Sequence, residues 1–419
     1  MRVADLADHA CAAVNSADGV LATVTSERSL TLRFARSRPT QATAIADVGV
    51  TISVLRDGHV GSATTNRDDD EALRDCAGAA EAFAAAAART RGNGAYPGFP
   101  VAGAYHLHHG FDPTTSMLDP ALGGAAMQDA FDVAAANGVE AHGIWTAGDV
   151  ETAIASRGGP VATDRVTDAF MKVTCIAGDG RSGWASRTAV SSAALDATAL
   201  AETAAAKATG EFAARREVAK LPPGDYEVVL APAAVAELVE WLGWTAFNGL
   251  AHAEGRGALV DRLGDLVVAP SINIADSPRF PATLPRAFDA EAVPKRPLTL
   301  IQDGVAHRVV HDTRSAELAG GDARTTGHAL EPGGSSYGPL PRNLVLTGGG
   351  AESEDELIAA VDRGVYVTRL WYTNALRPNE TLITGVTRDG TFLIEDGRIA
   401  APPEDLRLTD SVLRILSST

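Results

Sequence analysis

Ile52-Ser53-Val54-Leu55-Arg56-Asp57-Gly58-His59-Val60-Gly61-Ser62 decides how the first half of this chain is read. Ile52-Ser53-Val54 and Val60-Gly61-Ser62 alternate apolar and polar positions, the period of strands with one buried face. Asp57-Gly58 between them is a hairpin turn signal, because glycine adopts without steric cost the positive φ such turns require. Working outward, residues 20–64 carry the same alternation through Leu30, Leu32 and Phe34 and then Val50, Ile52 and Val54. Asp68, Asp69 and Asp70 offer N-cap and first-turn carboxylates to a helix predicted to run to about Arg91.

The same order returns downstream. Phe170 to Ile176 reads as a strand, Asp179-Gly180 as a turn, Trp184 to Thr188 as a strand, and Leu195 to Arg216 as a long alanine-rich helix. Asp57, Gly58, Gly61, Ala63 and Leu73 match Asp179, Gly180, Gly183, Ala185 and Leu195 at one offset of 122 residues (179 − 57). A repeated hairpin and helix unit explains this constancy. Two unrelated Asp-Gly hairpins are the alternative, since that turn is common.

Between the copies, Gly92 to Pro120 is rich in Gly, Pro, Asp and Thr and reads as a long ordered excursion over the surface, suited to an interface. Leu221-Pro222-Pro223-Gly224-Asp225 ends a helix against prolines that cannot continue it. The chain therefore divides into an α/β repeat domain, residues 1–221, and a β-rich domain with one leading helix, residues 222–419. The second begins with a strand, Tyr226 to Leu230, and a helix, Pro232 to Gly249. Short strands then follow at Val267 to Ala269, Leu298 to Gln302, Arg308 to Val310, Asn343 to Thr347, Val365 to Tyr372 and Thr391 to Ile394. The fold class predicted is α+β, with a barrel-like or sandwich-like second domain.

Composition bounds the function. The 419 residues suit two domains, and 45% hydrophobic against 21% charged residues is globular. A formal net charge of −17 without a basic face argues against direct nucleic-acid binding. The three cysteines, Cys11, Cys76 and Cys175, are odd in number and far apart, which fits reduced thiols in a cytoplasm. Met1 to Val14 has no basic head before an unbroken apolar run and reads as an amphipathic first helix instead of a signal peptide. No window approaches the roughly 20 apolar residues of a membrane span, so a cytoplasmic location without membrane contact is expected.

Local chemistry is sparse. His106, His108 and His109 form the most metal-like cluster, but no carboxylate or thiol stands at ligand spacing nearby and loop histidines are commonly solvated. His307 and His311 have the spacing of a zincin helix, yet Arg308 occupies the place of its glutamate, and Val309-Val310 favour a strand that would hold the two histidines about 13 Å apart. There is no G-x-S-x-G elbow, and Gly333-Gly334-Ser335-Ser336 and Gly348-Gly349-Gly350 lack the lysine of a phosphate loop.

Taken together and in order, several segments resemble the TldD/PmbA family. They are Leu32-Arg33-Phe34-Ala35, Gly49 to Asn66, Gly178 to Ser186, Leu263-Gly264-Asp265 through Ile274-Ala275-Asp276-Ser277-Pro278, Leu300 to Gly304, His311-Asp312 to Ser315-Ala316, Pro341 to Leu344, Gly364 to Thr368 and Phe392 to Ile399. The resemblance implies that catalytic members carry H-E-x-x-x-H on the first helix of the second domain and a cysteine ligand near the C-terminus, holding a zinc ion with the glutamate as general base. The corresponding stretch here is Val239-Glu240-Trp241-Leu242-Gly243-Trp244, so Glu240 is kept while Val239 and Trp244 stand at both histidine positions. No cysteine follows Cys175. His252, beyond the predicted helix end at Asn248-Gly249, would be a solitary substitute.

The resemblance therefore implies a TldE/PmbA-like, non-catalytic subunit with no metal, cofactor or catalytic residue of its own. It would pair with a zinc-bearing TldD-like subunit in a heteromeric peptidase and form part of a chamber for unfolded or extended peptide. The alternatives are an independent hydrolase using Glu240 or the His106 to His109 cluster, and a metal-free homodimeric peptide-binding protein.

Overall fold

α1 (Val3–Ala12) leads into three antiparallel strands, β1 (Gly19–Ala35), β2 (Arg38–Arg56) and β3 (His59–Thr65), followed by α2 (Asp70–Arg91). After α3 (Pro113–Ser116), the pattern recurs as α4 (Pro120–Ala136), β4 (Glu140–Ser156), β5 (Ala162–Ile176), β6 (Ser182–Ala189) and α5 (Ala197–Thr209). The structure, a computed structural model, describes residues 1–91, 96–210, 221–400, 403 and 406–419, with Thr90 and Arg91 described in backbone only. The predicted continuation of the α5 helix to Arg216 and the start of the Gly92 excursion lie outside the described residues.

The repeat is larger than a hairpin and a helix. All six strands form one sheet in the order β3-β2-β1-β4-β5-β6, with β1 against β4 at the centre. Val24 faces Val50 as Trp145 faces Met171, an offset of 121 (145 − 24 and 171 − 50). Gly61 faces Val54 as Gly183 faces Cys175, and the offset of Gly61 to Gly183 is 122 because the second turn holds one more residue. Asp57 and Gly58 take φ of 50° and 71°, the paired positive values of the foreseen turn.

Gly61 and Gly183 explain why each helix sits where it does. A Cβ at Gly61 would lie 2.2 Å from Ala84 N and 2.5 Å from Ala80 O of α2, and one at Gly183 would lie 2.1 Å from Ala204 O and 2.9 Å from Ala208 N of α5. The helix backbones rest on bare glycine. These contacts are related by 124 residues (204 − 80), so the structural partner of Leu73 is Ala197. The expected match of Leu73 with Leu195 fails because the 3₁₀ turn Ser192–Ala194 precedes α5 and leaves Leu195 outside it. Asp69 caps α2 by accepting from Ala72 N at 3.0 Å.

α1, α2, α4 and α5 all cover one face of the sheet. Val20, Ala22, Val24, Ile52 and Val54 pack on α1 and α2; Leu30, Leu32, Phe34, Trp145 and Met171 pack on α4 and α5. On the opposite face Leu21, Ile154 and Ala162 meet Phe99 and Tyr105 of the Gly/Pro-rich excursion and Ala287, Phe288 and Ala292 from the second half of the chain. The excursion is thus a strap between sheet and C-terminal half.

That half contains, in order, β7 (Glu227–Leu230), α6 (Pro232–Thr245), α7 (Gly249–Ala253), β8 (Asn273–Asp276), β9 (Leu298–Gln302), β10 (Val305–Ala306), α8 (Thr313–Ala319), β11 (Leu344–Thr347), α9 (Glu354–Ala359), β12 (Arg363–Val367), β13 (Leu370–Arg377), β14 (Leu382–Thr387), β15 (Thr391–Glu395), β16 (Arg398–Ile399), β17 (Arg407–Ser411) and α10 (Val412–Ser417). Among the described residues the strands form sheets β10-β9-β8-β11, β16-β15-β12-β7 and β13-β14-β17, and none closes into a barrel. Leu238, Val239 and Leu242 of α6 sit in a core shared with Ile274, Leu300, Val365 and Ile383 from all three sheets.

Three strand predictions need correction. Val267 to Ala269 and Arg308 to Val310 form no strand: an isolated bridge joins Leu266, just before the first, to Val305 of β10, and another joins Val310 to Asn248. Val365 to Tyr372 is two strands, split at Thr368-Arg369. The Pro232 to Gly249 helix ends at Thr245, because Asn248 caps a new helix by accepting from Leu250 N and Ala251 N at 3.0 Å.

Candidate functional site

α6 begins with Pro232 in its first turn, where the missing N–H costs nothing, and buries Ala234, Leu238, Val239 and Leu242. Val239 is only 5% exposed and its side chain belongs to the core. Glu240 and Trp244 share the outer face. Partial desolvation and the like charge of Glu237 push the Glu240 carboxyl above its ordinary range, with a hydrogen bond from Trp244 opposing them. Trp244 meets Tyr337 edge to face at 6.1 Å between ring centroids. Trp241 Nε1 donates to Thr373 Oγ1 at 2.9 Å, and Glu237 accepts from the same hydroxyl, which ties α6 to β13.

This surface does not fit a zinc ion. At the positions where the resemblance implies ligands, Val239 has no donor atom and points inward, and the indole of Trp244 offers an N–H but no lone pair. His252 does not extend the set from α6: it stands on α7, its Nδ1 buried without a hydrogen-bond partner and its pKa lowered by burial, with Asp261 opposing. Cys11, Cys76 and Cys175 are free, buried and in the first half of the chain. Among the described residues no three His, Cys, Asp or Glu side chains gather as a metal-holding group.

The histidine cluster of the strap is dispersed by its contacts. His106 and His109 point to solvent, whereas His108 is nearly buried, with Nε2 2.8 Å from Asp164 Oδ1 and Nδ1 accepting from Gly110 N at 3.0 Å. With both ring nitrogens committed, His108 is a fastener. Burial would raise the Asp164 pKa, but His108 and the backbone N–H of Ala287 together hold it low.

Below the strap lies a polar cluster that sequence reasoning missed. Glu291, wholly buried, accepts from Tyr96 OH at 2.9 Å, from Thr313 N at 3.1 Å and Oγ1 at 2.5 Å, and from Gly333 N at 3.3 Å. Asp289 accepts three backbone N–H groups, from Glu291 and Val293 at 2.9 Å and Ala329 at 2.8 Å. Burial still pushes its carboxyl up to about 7, with Glu291 adding to the rise. Asp276 lies 3.1 Å from His328 Nε2 and 3.5 Å from Lys295 Nζ, and accepts from Asn343 N at 2.7 Å. Burial opposes ionisation there too, but these partners hold Asp276 down to about 2. Burial and the neighbouring Lys295 lower the His328 pKa, which disfavours its charged form, so the charge partner of Asp276 is Lys295, and neither Asp276 Oδ2 nor His328 Nε2 makes an aligned hydrogen bond. His311 is buried and donates its backbone N–H to Thr326 Oγ1, whereas His307 is exposed. In the sequence, Asp276 and Asp312 stand only as parts of segments that carry the family resemblance, and Asp289 and Glu291 only as carboxylates between Ala287-Phe288 and Ala292-Val293.

Family comparison agrees with this architecture. Residues 22–84 match the model of PmbA/TldA metallopeptidase domain 1, and residues 223–419 match that of the PmbA/TldA metallopeptidase C-terminal domain. The chain belongs to the PmbA/TldD family. A relative named metalloprotease from Methanothermobacter thermautotrophicus is 29% identical over 219 residues, 50% of this chain and 45% of that protein, so the match spans less than half the relative's length. The fold is similar to that of a candidate modulator of DNA gyrase from Thermotoga maritima, with a TM-score of 0.82 and 22% identity over 95% of this chain and 89% of the other. TldE from Thermococcus kodakarensis gives 0.82 and 19% over 99% and 92%. A second candidate gyrase modulator, from Bacteroides thetaiotaomicron, gives 0.81 and 18% over 99% and 92%. At these identities the structural likeness speaks to PmbA/TldD architecture alone.

Proposed function

We propose that this chain is the non-catalytic, TldE/PmbA-like subunit of a heteromeric zinc metallopeptidase that acts on unfolded peptides. The observation that carries the reading is the α6 surface, where Val239 turns into the core, Trp244 packs on Tyr337, and Glu240 alone retains a donor. A lone carboxylate offers no tetrahedral cage, so the metal and its activated water would come from a TldD-like partner. This chain would supply a wall of the peptide chamber. The complex would work in the cytoplasm, in keeping with unpaired cysteines; no helix among the described residues is long and apolar enough to cross a membrane.

Purified alone, the chain should hold no stoichiometric zinc and leave an unfolded peptide intact. Mixed with a TldD-like chain bearing the full H-E-x-x-x-H signature, it should raise digestion above that of the partner alone. Metal-dependent peptidase activity in the isolated chain would overturn the reading.

A further inference from the structure

The two repeats differ at one place that their shared geometry makes easy to see. β6 covers β5 only from Ala169 to Ile176, and β3 covers β2 only from Val50 to Arg56. Each unit therefore leaves the rest of the outer edge of its second strand from the centre, β2 or β5, unpaired by a strand. On β5 that edge is taken by the strap: Thr167 N donates to Gly110 O at 2.8 Å, Asp112 N donates to Thr167 Oγ1 at 2.9 Å, and Tyr105 OH meets both Thr163 O, at 2.8 Å, and Thr163 N, at 3.1 Å. On β2 nothing among the described residues bonds the equivalent edge, and residues 38–47 are exposed apart from the half-buried Thr43.

The offset of 121 sets the register. Thr163 and Thr167 correspond to Ala42 and Ala46 (163 − 121 and 167 − 121), so the amides and carbonyls of Ala42, Ala44 and Ala46 point away from β1. Arg38 to Gly49 is about 40 Å of extended backbone. Its centre, Thr40-Gln41-Ala42-Thr43-Ala44-Ile45-Ala46, carries no charge and places alanine at 42, 44 and 46, while Arg38 and Asp47 bracket it with opposite charges. Protein edges are ordinarily blunted by charges or bulges, and here Pro39 and the register shift that leaves Thr40 unpaired against β1 blunt only the Arg38 end.

We propose that the outer edge of β2, residues 40–48, binds an extended polypeptide segment as an added antiparallel strand. Main-chain hydrogen bonds to Ala42, Ala44 and Ala46 would supply affinity with little demand on sequence, as Gly110 does for Thr167 on the matching edge. The charge bracket favours a segment with an uncharged centre, an acidic residue towards Arg38 and a basic one towards Asp47. The inference deepens the proposed role as a wall of the peptide chamber, here guiding the peptide, and rests on that role for the identity of the segment as substrate.

The probe is a fluorescein-labelled octapeptide of alternating threonine and valine with one aspartate end and one lysine end, followed by anisotropy with the full chain. Saturable binding is expected, and Ala44→Pro, which removes one outward donor and no bond to β1, should weaken it at least about tenfold with the circular dichroism spectrum unchanged. Should that variant misfold, hydrogen exchange on the unaltered chain decides: peptide should slow exchange across residues 40–48 and leave 162–168 unchanged. Equal binding by Ala44→Pro, absence of that protection, or a concentration-dependent dimer that Ala44→Pro dissolves, showing that a second copy occupies the edge, would each overturn the proposal. Adding a TldD-like partner separates the two readings. Loss of peptide binding in Ala44→Pro with unchanged digestion by the complex would keep the edge and sink the guiding role, whereas stimulated digestion with no binding at the edge would do the reverse.

Discussion

Residues 1–210 and residues 221–419 bury their polar groups to very different extents. Among the described residues, Ser53, Thr115, Asp149 and Thr167 are the polar or charged side chains buried in the first part, against sixteen in the second, among them Asp276, Asp289, Glu291, Lys295, His311, Asp312 and His328. The sheet and its helices are held by alanine, valine and leucine contacts and by two glycines that admit helix backbones. The C-terminal half shares an apolar core around α6 but is fastened to strap and loops by buried carboxylates. Repetition explains the contrast: a unit used twice needs only a pattern that packs, whereas irregular segments must satisfy their backbone N–H groups one by one.

Asp276→Ala tests the second regime most severely, since it strands Lys295 and His328 in the interior; a loss of about 3–5 kcal/mol in urea unfolding is expected. A neutral result would mean that Asp276 and Lys295 are not paired as charges. In the first regime, Gly61→Ala and Gly183→Ala should each cost about 1–3 kcal/mol by overpacking against helix backbone, and by similar amounts if the repeat is mechanical as well as topological. A large inequality would break the equivalence of the two units. Glu291→Gln turns one accepting oxygen into a donor facing N–H or O–H groups and should cost about 1–3 kcal/mol while hastening limited proteolysis of the strap between Tyr96 and Asp112.

A smaller effect separates the halves by pH. Because the Asp289 carboxyl is raised in the folded protein to about 7, its contribution is fully present below the ordinary carboxylate range and is lost as pH rises through about 7. Unfolding midpoints should therefore climb as pH is lowered from 8 to 6, and Asp289→Asn should flatten that slope; a slope unchanged in the variant would assign the effect elsewhere. Smallest of all, His108→Ala should cost about 1 kcal/mol by leaving Asp164 with the Ala287 amide as its remaining partner.

Legibility followed the same division. Asp57-Gly58 and Asp179-Gly180 announced both hairpins, and the exact recurrence of glycine at 61 and 183 carried the repeat, because turn φ and close backbone approach leave glycine no substitute. β4 and the first half of β5 are not legible in the sequence, because charged residues such as Glu140, Asp149, Glu151, Asp164 and Arg165 and small ones such as Gly143 and Gly148 interrupt the apolar alternation that marks β2. At α6, Val239 and Trp244 could be read as lacking donor atoms without any coordinates. That Val239 also turns into the core, and that His252 belongs to a separate helix, required them.

Residue identity by itself determined which side chains can donate to a metal, where glycine permits a turn, and that a unit occurs twice, since these follow from covalent chemistry and local backbone sterics. Tertiary structure alone decided that the strap covers the edge of β5 and leaves that of β2 open, and that Asp289 and Asp276 carry opposite shifts. Both depend on which distant atoms exclude water from a group or meet it with a hydrogen bond, and no local stretch of chain encodes that.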